Sequence, residues 1–459
     1  MSKAGRWLVL ASVIAALAFG GLAIYRAAQP AEWDPVLEPY IAFIEAERGL
    51  TFDHPVDVRW ADIAQEIADQ QAAASRDTSV FASVGTEDPV EAEPRDPWTE
   101  AYRVLGLIDP NPEQALDDTV SETLAENAGA FYTPWDETIV LPEGVALEAL
   151  SVTIVHELTH ALQHQNGLLE FFPESPDSAS ARLAIIEGDA ERIAMAWYWS
   201  RTDAERQEYL DAIGYIAGEV FEDQGNSYLE TSFYASYGVG QPMVEAIVAA
   251  DGQEALNELL ASEDIGSTER LLDVFGTSNH SGVDALEIMT LPAGVQRPDG
   301  DIGVLTWFQT LAPVIGTELT FDALEGYDDD AFAMFRADGE ACVRFELHFD
   351  TSEDAVEFVQ ILDVAGIPVE QMDNPGLDAA RLDLCDAIGD PGDQRFGTLI
   401  PLVAVNELMS THAQNGLTKD VARCAALDQA STIPIRPSEE FIGWDALIED
   451  SSQYVAACQ

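Results

Sequence analysis

Lysine is nearly missing from this chain. Of its 459 residues only Lys3 and Lys419 carry an ammonium group. Lys and Arg together number 21 against 83 Asp and Glu, a formal net charge of −62. That balance excludes a nucleic-acid partner, because phosphate binding takes a basic surface. It equally excludes docking on an anionic membrane through a basic patch. A surface this acidic repels itself at low salt, which fits saline surroundings or a simple need for solubility. Cysteine is scarce as well. Cys342, Cys385, Cys424 and Cys458 all lie in the last third, and no pair has the close spacing of a zinc finger. In an exported chain an even number reads as two disulfides with three possible pairings; the alternative is buried free thiols. Internal repeats are absent.

Apolar residues are plentiful: 47% of the chain, with 9 Trp, 19 Phe and 12 Tyr. That is core enough for two or three domains and excludes a wholly disordered chain. One uncharged apolar run, Trp7–Tyr25, is flanked by Lys3, Arg6 and Arg26. It approaches the roughly 20 residues that a spanning helix needs. It predicts a single-pass anchor over 1–29 with its N-terminus in the cytoplasm and the remaining chain outside. A cleaved signal peptide is the rival reading. Helical spacing marks Pro35–Arg48 and Trp60–Ala74, and alternation marks a strand at Pro55–Trp60. The stretch 75–97, rich in charge, Pro and Ser, reads as a flexible acidic insertion. Gly129–Tyr132 and Thr138–Leu141 read as a short β pair, and Val145–Gln165 and Ser178–Ser200 as strong helices. Beyond Pro298 the pattern becomes strand, strand, helix, with Ala331–Ala337 and Cys342–Phe349 paired across Asp338-Gly339. These patterns predict a mostly helical α+β protein, with one domain over 30–297 and a smaller α+β C-terminal domain over 298–459 that holds the cysteines. Asp328–Asp330 reads as a solvated acidic turn, since it lacks the spacing of a calcium loop.

The chemistry centres on His156-Glu157-Leu158-Thr159-His160. On a helix, residues four apart share a face, so both imidazoles can point at one ion. Zn2+ favours such nitrogen ligands. Glu157 lies beside the open coordination position, where it can take the proton from zinc-bound water. The third ligand must come from elsewhere. The metzincin pattern is excluded by Gln163 and Asn166. The next helix carries Ile186-Glu187-Gly188-Asp189-Ala190-Glu191. Glu187 is the candidate third ligand. Glu191, on the same face, is expected to accept from the far nitrogen of a zinc histidine, with Asp189 pointing away. Small Gly188 and Ala190 are expected to let the two helices approach. His164 continues the histidine row but lies a further turn along the axis.

His156–His160 followed by Glu187-Gly188-Asp189-Ala190 resembles the gluzincin-type HExxH zinc metallopeptidases. More narrowly, it resembles a bacterial group of membrane-anchored, largely uncharacterised metallopeptidases. Gly129-Ala130-Phe131-Tyr132, Ser236-Tyr237-Gly238-Val239-Gly240 and Ser267-Thr268-Glu269 loosely match further elements of that group, over about residues 36–350. The group often has Asp where His164 stands and Pro where Ser236 stands. The resemblance implies a zincin-like fold, in which a sheet edge above the zinc helix pairs with an extended peptide; Thr138–Leu141 is the expected edge. It implies an outward-facing, membrane-anchored endopeptidase acting on a peptide or protein substrate. Tyr237 is the candidate oxyanion donor, ahead of His280 and Tyr234. The alternative is a catalytically inactive, zinc-containing peptide-binding or envelope scaffold protein; Glu157 argues against it, since a structural site needs no base.

Overall fold

The computed structural model describes residues 32–67, 96–108, 129–171, 173, 175–220, 228–262, 266–275, 284–372, 378–389, 395–435 and 451–459. The expected insertion over 75–97 falls almost wholly outside them, as do Trp7–Tyr25 and His280.

Alternating apolar residues build the first, three-stranded sheet. Helix α1 (Glu38–Arg48) leads to β1 (Asp57–Ala61); after α2 (Pro97–Val104) come β2 (Phe131–Thr133) and β3 (Thr138–Pro142). The strand order is β1-β3-β2, with β1 parallel and β2 antiparallel to β3. The expected edge is therefore corrected. The strand over Thr138–Leu141 lies in the middle, because β1 pairs with its far side, and β1 and β2 are the edges. Successive side chains point to opposite faces. Tyr132, Ile139 and Leu141 face helix α3 (Leu147–Gln165), whose Leu150, Ile154, Leu158 and Leu162 recur every four residues. Phe131 and Val140 face Ile63 and Ile67 on the other side. Full burial of each such Leu or Ile contributes about 1.5–3 kcal/mol relative to exposure, which holds the sheet flat on α3.

A longer set of helices follows: α4 (Pro176–Ser200), α5 (Asp203–Val220), α6 (Tyr228–Gly238), α7 (Gly240–Asp251) and α8 (Gln253–Leu260). Next come α9 (Val304–Ile315), α10 (Thr317–Ala323), the hairpin β4 (Tyr327–Ala337) and β5 (Glu340–Phe349), and α11 (Ser352–Val364). Strands β6 (Glu370–Gln371) and β7 (Ala379–Leu384) precede α12 (Leu399–Gln414), α13 (Lys419–Ser431) and α14 (Ser452–Cys458). The second sheet runs β4-β5-β7-β6, all antiparallel, and the hairpin turns at Asp338-Gly339 as expected. The protein is thus α+β, mostly helical, with two small sheets. One apolar core includes Trp98, Ile185 and Val239 from the first part and Trp307, Phe345 and Leu402 from the last, so the segments on either side of 298 share it. Two disulfides form. Cys342–Cys385 links β5 to the residue after β7, and Cys424–Cys458 ties α14 to α13.

The membrane expectation is corrected. Among the described residues no helix is long and apolar enough to cross a membrane. The longest ones carry charged and polar groups at mid-length: His156, Glu157 and His160 in α3, and Glu187, Asp189 and Arg192 in α4. The single-pass anchor, and the membrane location that depended on it, are set aside.

Asp328–Asp330 is a second correction. These residues open β4 rather than forming a solvated turn, and Asp330 is fully buried. Asp330 accepts from the Trp307 indole at 2.6 Å and from the backbone of Ile302 at 2.8 Å. Close by, Asp177 accepts from Thr268 and Asp301 from Ser175. Burial pushes several carboxyls up: Asp301 to about 6, Asp329 to about 8, and Glu269, beside Asp273, to about 9. The unfolded chain ionises these groups near pH 4. Between pH 4 and each raised value the folded state holds protons that the unfolded state releases, so their contribution to stability is complete below pH 4 and declines as pH rises. Thermal melting at constant high salt is expected to show a midpoint that falls from about pH 5 to about pH 9. Glu269→Gln should flatten the alkaline end of that decline; a midpoint that rises across the window contradicts this assignment.

Candidate metal centre

Helices α3 and α4 bring His156, His160 and Glu187 together. The ligand atoms of these three lie within 4.8 Å of one another and form a group that could hold a metal ion. The helical repeat puts His156 and His160 on one face, and Glu187 meets them from α4. His156 Nε2 lies 3.0 Å from His160 Nε2 and 3.0 Å from Glu187 Oε2, and His160 Nε2 lies 3.3 Å from Glu187 Oε2. A tetrahedral centre with arms of about 2.0–2.1 Å has edges of about 3.3–3.4 Å, so this triangle is close to the size such an ion takes.

The far nitrogens have partners of their own. His156 Nδ1 faces Glu191 Oε2 at 3.2 Å, and His160 Nδ1 faces Gln163 Oε1 at 3.0 Å. Both partners are acceptors, so in the neutral rings each Nδ1 is placed to donate, which turns the Nε2 lone pairs inward. Two lone pairs and a carboxylate oxygen then converge, an arrangement that favours a positive charge at its centre. The titration behaviour agrees. Burial alone would push both histidines down, but Glu187, joined by Glu191 at His156, pulls both up instead. Burial would also raise Glu187, and the two imidazoles more than reverse it, holding the carboxyl far below its ordinary range.

Glu157 is buried beside this group, and its Oε2 accepts from the backbone N–H of Tyr132 at 2.8 Å. That N–H points away from β3, so the outer edge of β2, which pairs with no other described strand, faces the base. Burial raises the Glu157 carboxyl; the nearby histidines and the Tyr132 hydrogen bond only partly offset it. Tyr237, on α6, has its ring 5.7 Å from that of His156, and its phenol is hydrogen-bonded to Glu187. Burial, followed by the charge of Glu187, pushes that phenol well above its ordinary value, so it stays protonated as a donor. His156, Glu157, His160, Glu187, Glu191 and Tyr237 thus lie close together, while His280 and the side chain of Tyr234 fall outside the described residues. His164 stands apart from the triangle; its Nδ1 meets the Tyr132 hydroxyl at 2.9 Å.

Neither a protein-family model, nor a curated protein, nor a solved structure matches the chain. What is known of the site therefore comes from its own geometry.

Sequence reasoning missed part of that geometry. Gln163, noted only as a departure from another pattern, is the partner of His160. Its position three residues on, on the same face, was the available signal. Asp189 does point away from the triangle, yet it accepts from Gln163 Nε2 at 2.9 Å, Arg48 Nε at 2.8 Å and Arg192 Nη2 at 3.0 Å. Gly188 also has a different task from the expected one. A Cβ there would meet the Gly240 carbonyl oxygen at 2.2 Å, and a Cβ on Gly240 would meet the Ala184 carbonyl oxygen at 2.1 Å. The small residue lets α4 approach α7, not α3. Gly188→Ala is expected to push these helices apart, destabilise the fold by about 1–3 kcal/mol or more, and displace Glu187. Urea unfolding measures this; a change within about 0.5 kcal/mol means the crossing is looser than the geometry indicates.

Proposed function

We propose that the chain is a zinc-dependent endopeptidase of the gluzincin kind, with a zincin-like arrangement of α3, α4 and the first sheet. The observation that carries the reading is the convergence of two imidazoles and Glu187 on one point, with the buried carboxylate of Glu157 beside it. His156, His160 and Glu187 would hold the ion, and two nitrogens with one oxygen suit zinc. When bound, zinc supplies a Lewis acid that polarises the scissile carbonyl. Glu157, with its raised affinity for a proton, takes one from the attacking water and passes it to the departing amine. The Tyr237 phenol donates to the oxygen on which negative charge develops. The outer edge of β2, unpaired among the described residues, offers main-chain groups to an extended peptide, which would lie across Glu157. The substrate is accordingly a peptide or an extended stretch of protein.

The test is incubation of the full chain, zinc-loaded, with a mixed peptide library at low and high salt, with the new ends mapped by mass spectrometry. Internal cleavage that stops on chelation supports the reading. An intact library with one zinc bound per chain turns the site into a non-catalytic, peptide-binding or scaffold centre.

A further inference from the structure

Arg48 is fully buried, and in the described structure its one polar partner is Asp189. Neither Nη1 nor Nη2 meets an acceptor. A guanidinium kept in the interior with donors unsatisfied is costly, so its remaining contact must matter. Arg48 ends α1, and Gly49 follows in the left-handed conformation with φ 72°, which closes the helix there. From Arg48 a buried chain of polar contacts runs to the metal triangle. Arg48 Nε donates to Asp189 Oδ2 at 2.8 Å, Gln163 Nε2 donates to the same oxygen at 2.9 Å, and His160 Nδ1 meets Gln163 Oε1 at 3.0 Å.

The amide of Gln163 is the step where information passes. Its second donor contact goes to the Ile186 carbonyl at 3.2 Å. With both hydrogens committed, its oxygen must face His160. Turning the amide over would set that oxygen against the Asp189 carboxylate and the Ile186 carbonyl, acceptor against acceptor. Arg48 Nε holds in place the same Asp189 oxygen that takes one of these hydrogens.

We infer that Arg48 is a positioning residue for the metal centre, acting through Asp189 and Gln163 to keep the proton of His160 on Nδ1 and the lone pair of Nε2 facing the ion. The inference rests on the proposed reading of the triangle as a metal site. Without Arg48, Asp189 keeps Arg192 as its cationic partner on the other oxygen, and the oxygen that receives the Gln163 amide loses its anchor. The amide can then turn, and His160 can place its proton on the metal-facing nitrogen. Outer partners of this type are worth about 10–100-fold in metal affinity.

Two readouts on the full chain test it: the His160 tautomer of metal-free protein, from ring nitrogen shifts at a pH where the ring is neutral, and zinc affinity by competition with a chromophoric chelator. In the wild type the Nδ1–H form should dominate. Arg48→Met should admit the Nε2–H form and weaken zinc about 10–100-fold, and Arg48→Lys, which keeps the charge, should recover most of both. Gln163→Met removes the amide while leaving every charge in place, so it carries the test if Arg48→Met does not fold; it should give the same two changes. Wild-type tautomer and wild-type affinity in the folded Met variants overturn the inference. A wild type that binds no zinc overturns the metal-site reading instead, while the tautomer comparison still decides whether Arg48 governs His160.

Discussion

Glu157→Gln is expected to abolish peptide hydrolysis while zinc stays bound. The carboxylate is not one of the three converging ligand atoms, so its loss leaves the triangle intact. Gln keeps the length of the side chain and an oxygen that can accept from Tyr132, so the local packing survives. It cannot take up a proton. General-base catalysis of this kind contributes about 10²–10⁴-fold, and here the same group also serves the departing amine, so the loss should lie at or beyond the upper end. Turnover at fixed zinc occupancy is the measurement. Normal turnover by the variant would remove Glu157 from the mechanism, even if the metal site stood.

Glu187→Ala should separate ligand from neighbour. Glu187 Oε2 lies 3.0 and 3.3 Å from the two histidine nitrogens, whereas Glu191 reaches only the outer nitrogen of His156. Removing Glu191 should cost zinc affinity about 10–100-fold, the usual range for an outer partner. Removing Glu187 should cost more than about 100-fold, because a coordinating oxygen is lost and the charge balance of two buried imidazoles is upset. Tyr237 loses its carboxylate partner in the same variant, so any residual activity should fall with the metal. Elemental analysis of both proteins after dialysis gives the order. Full zinc content in Glu187→Ala means that a different residue completes the set.

The parts of the site legible in the sequence are those fixed by one helix. His156 and His160 share a face because of the 3.6-residue repeat, and Glu187 and Glu191 do so for the same reason. The contacts that were not legible join residues distant in the chain. Arg48 and Asp189 are 141 positions apart, and nothing in either neighbourhood names the other. Gly188 suggested a close approach, but its partner, Gly240, is set by how α7 crosses α4. The order of the first sheet was hidden for a related reason. An antiparallel pair joined by a short turn is a local pattern, whereas the parallel pairing of β1 with β3 joins strands far apart in the chain. Asp328–Asp330 looked like a turn because three acids in a row are usually solvated; the indole of Trp307 and the backbone of Ile302 and Gly303 supply the donors that let Asp330 be buried. The apolar run at the N-terminus suggested a membrane helix by its length, its lack of charge and the flanking Lys3, Arg6 and Arg26; it lies outside the described residues, among which no helix is long and apolar enough to cross a membrane.

The central claim is that one zinc ion, held by His156, His160 and Glu187, makes this chain a peptidase. The most direct measurement strips the protein with a chelator and returns zinc in steps while cleavage of a library peptide is followed. Activity should be absent in the stripped protein, rise in proportion to added zinc and level off at one equivalent, with Glu157→Gln inactive at every step. Cleavage that survives stripping, or one tightly held zinc without any cleavage, would contradict the claim.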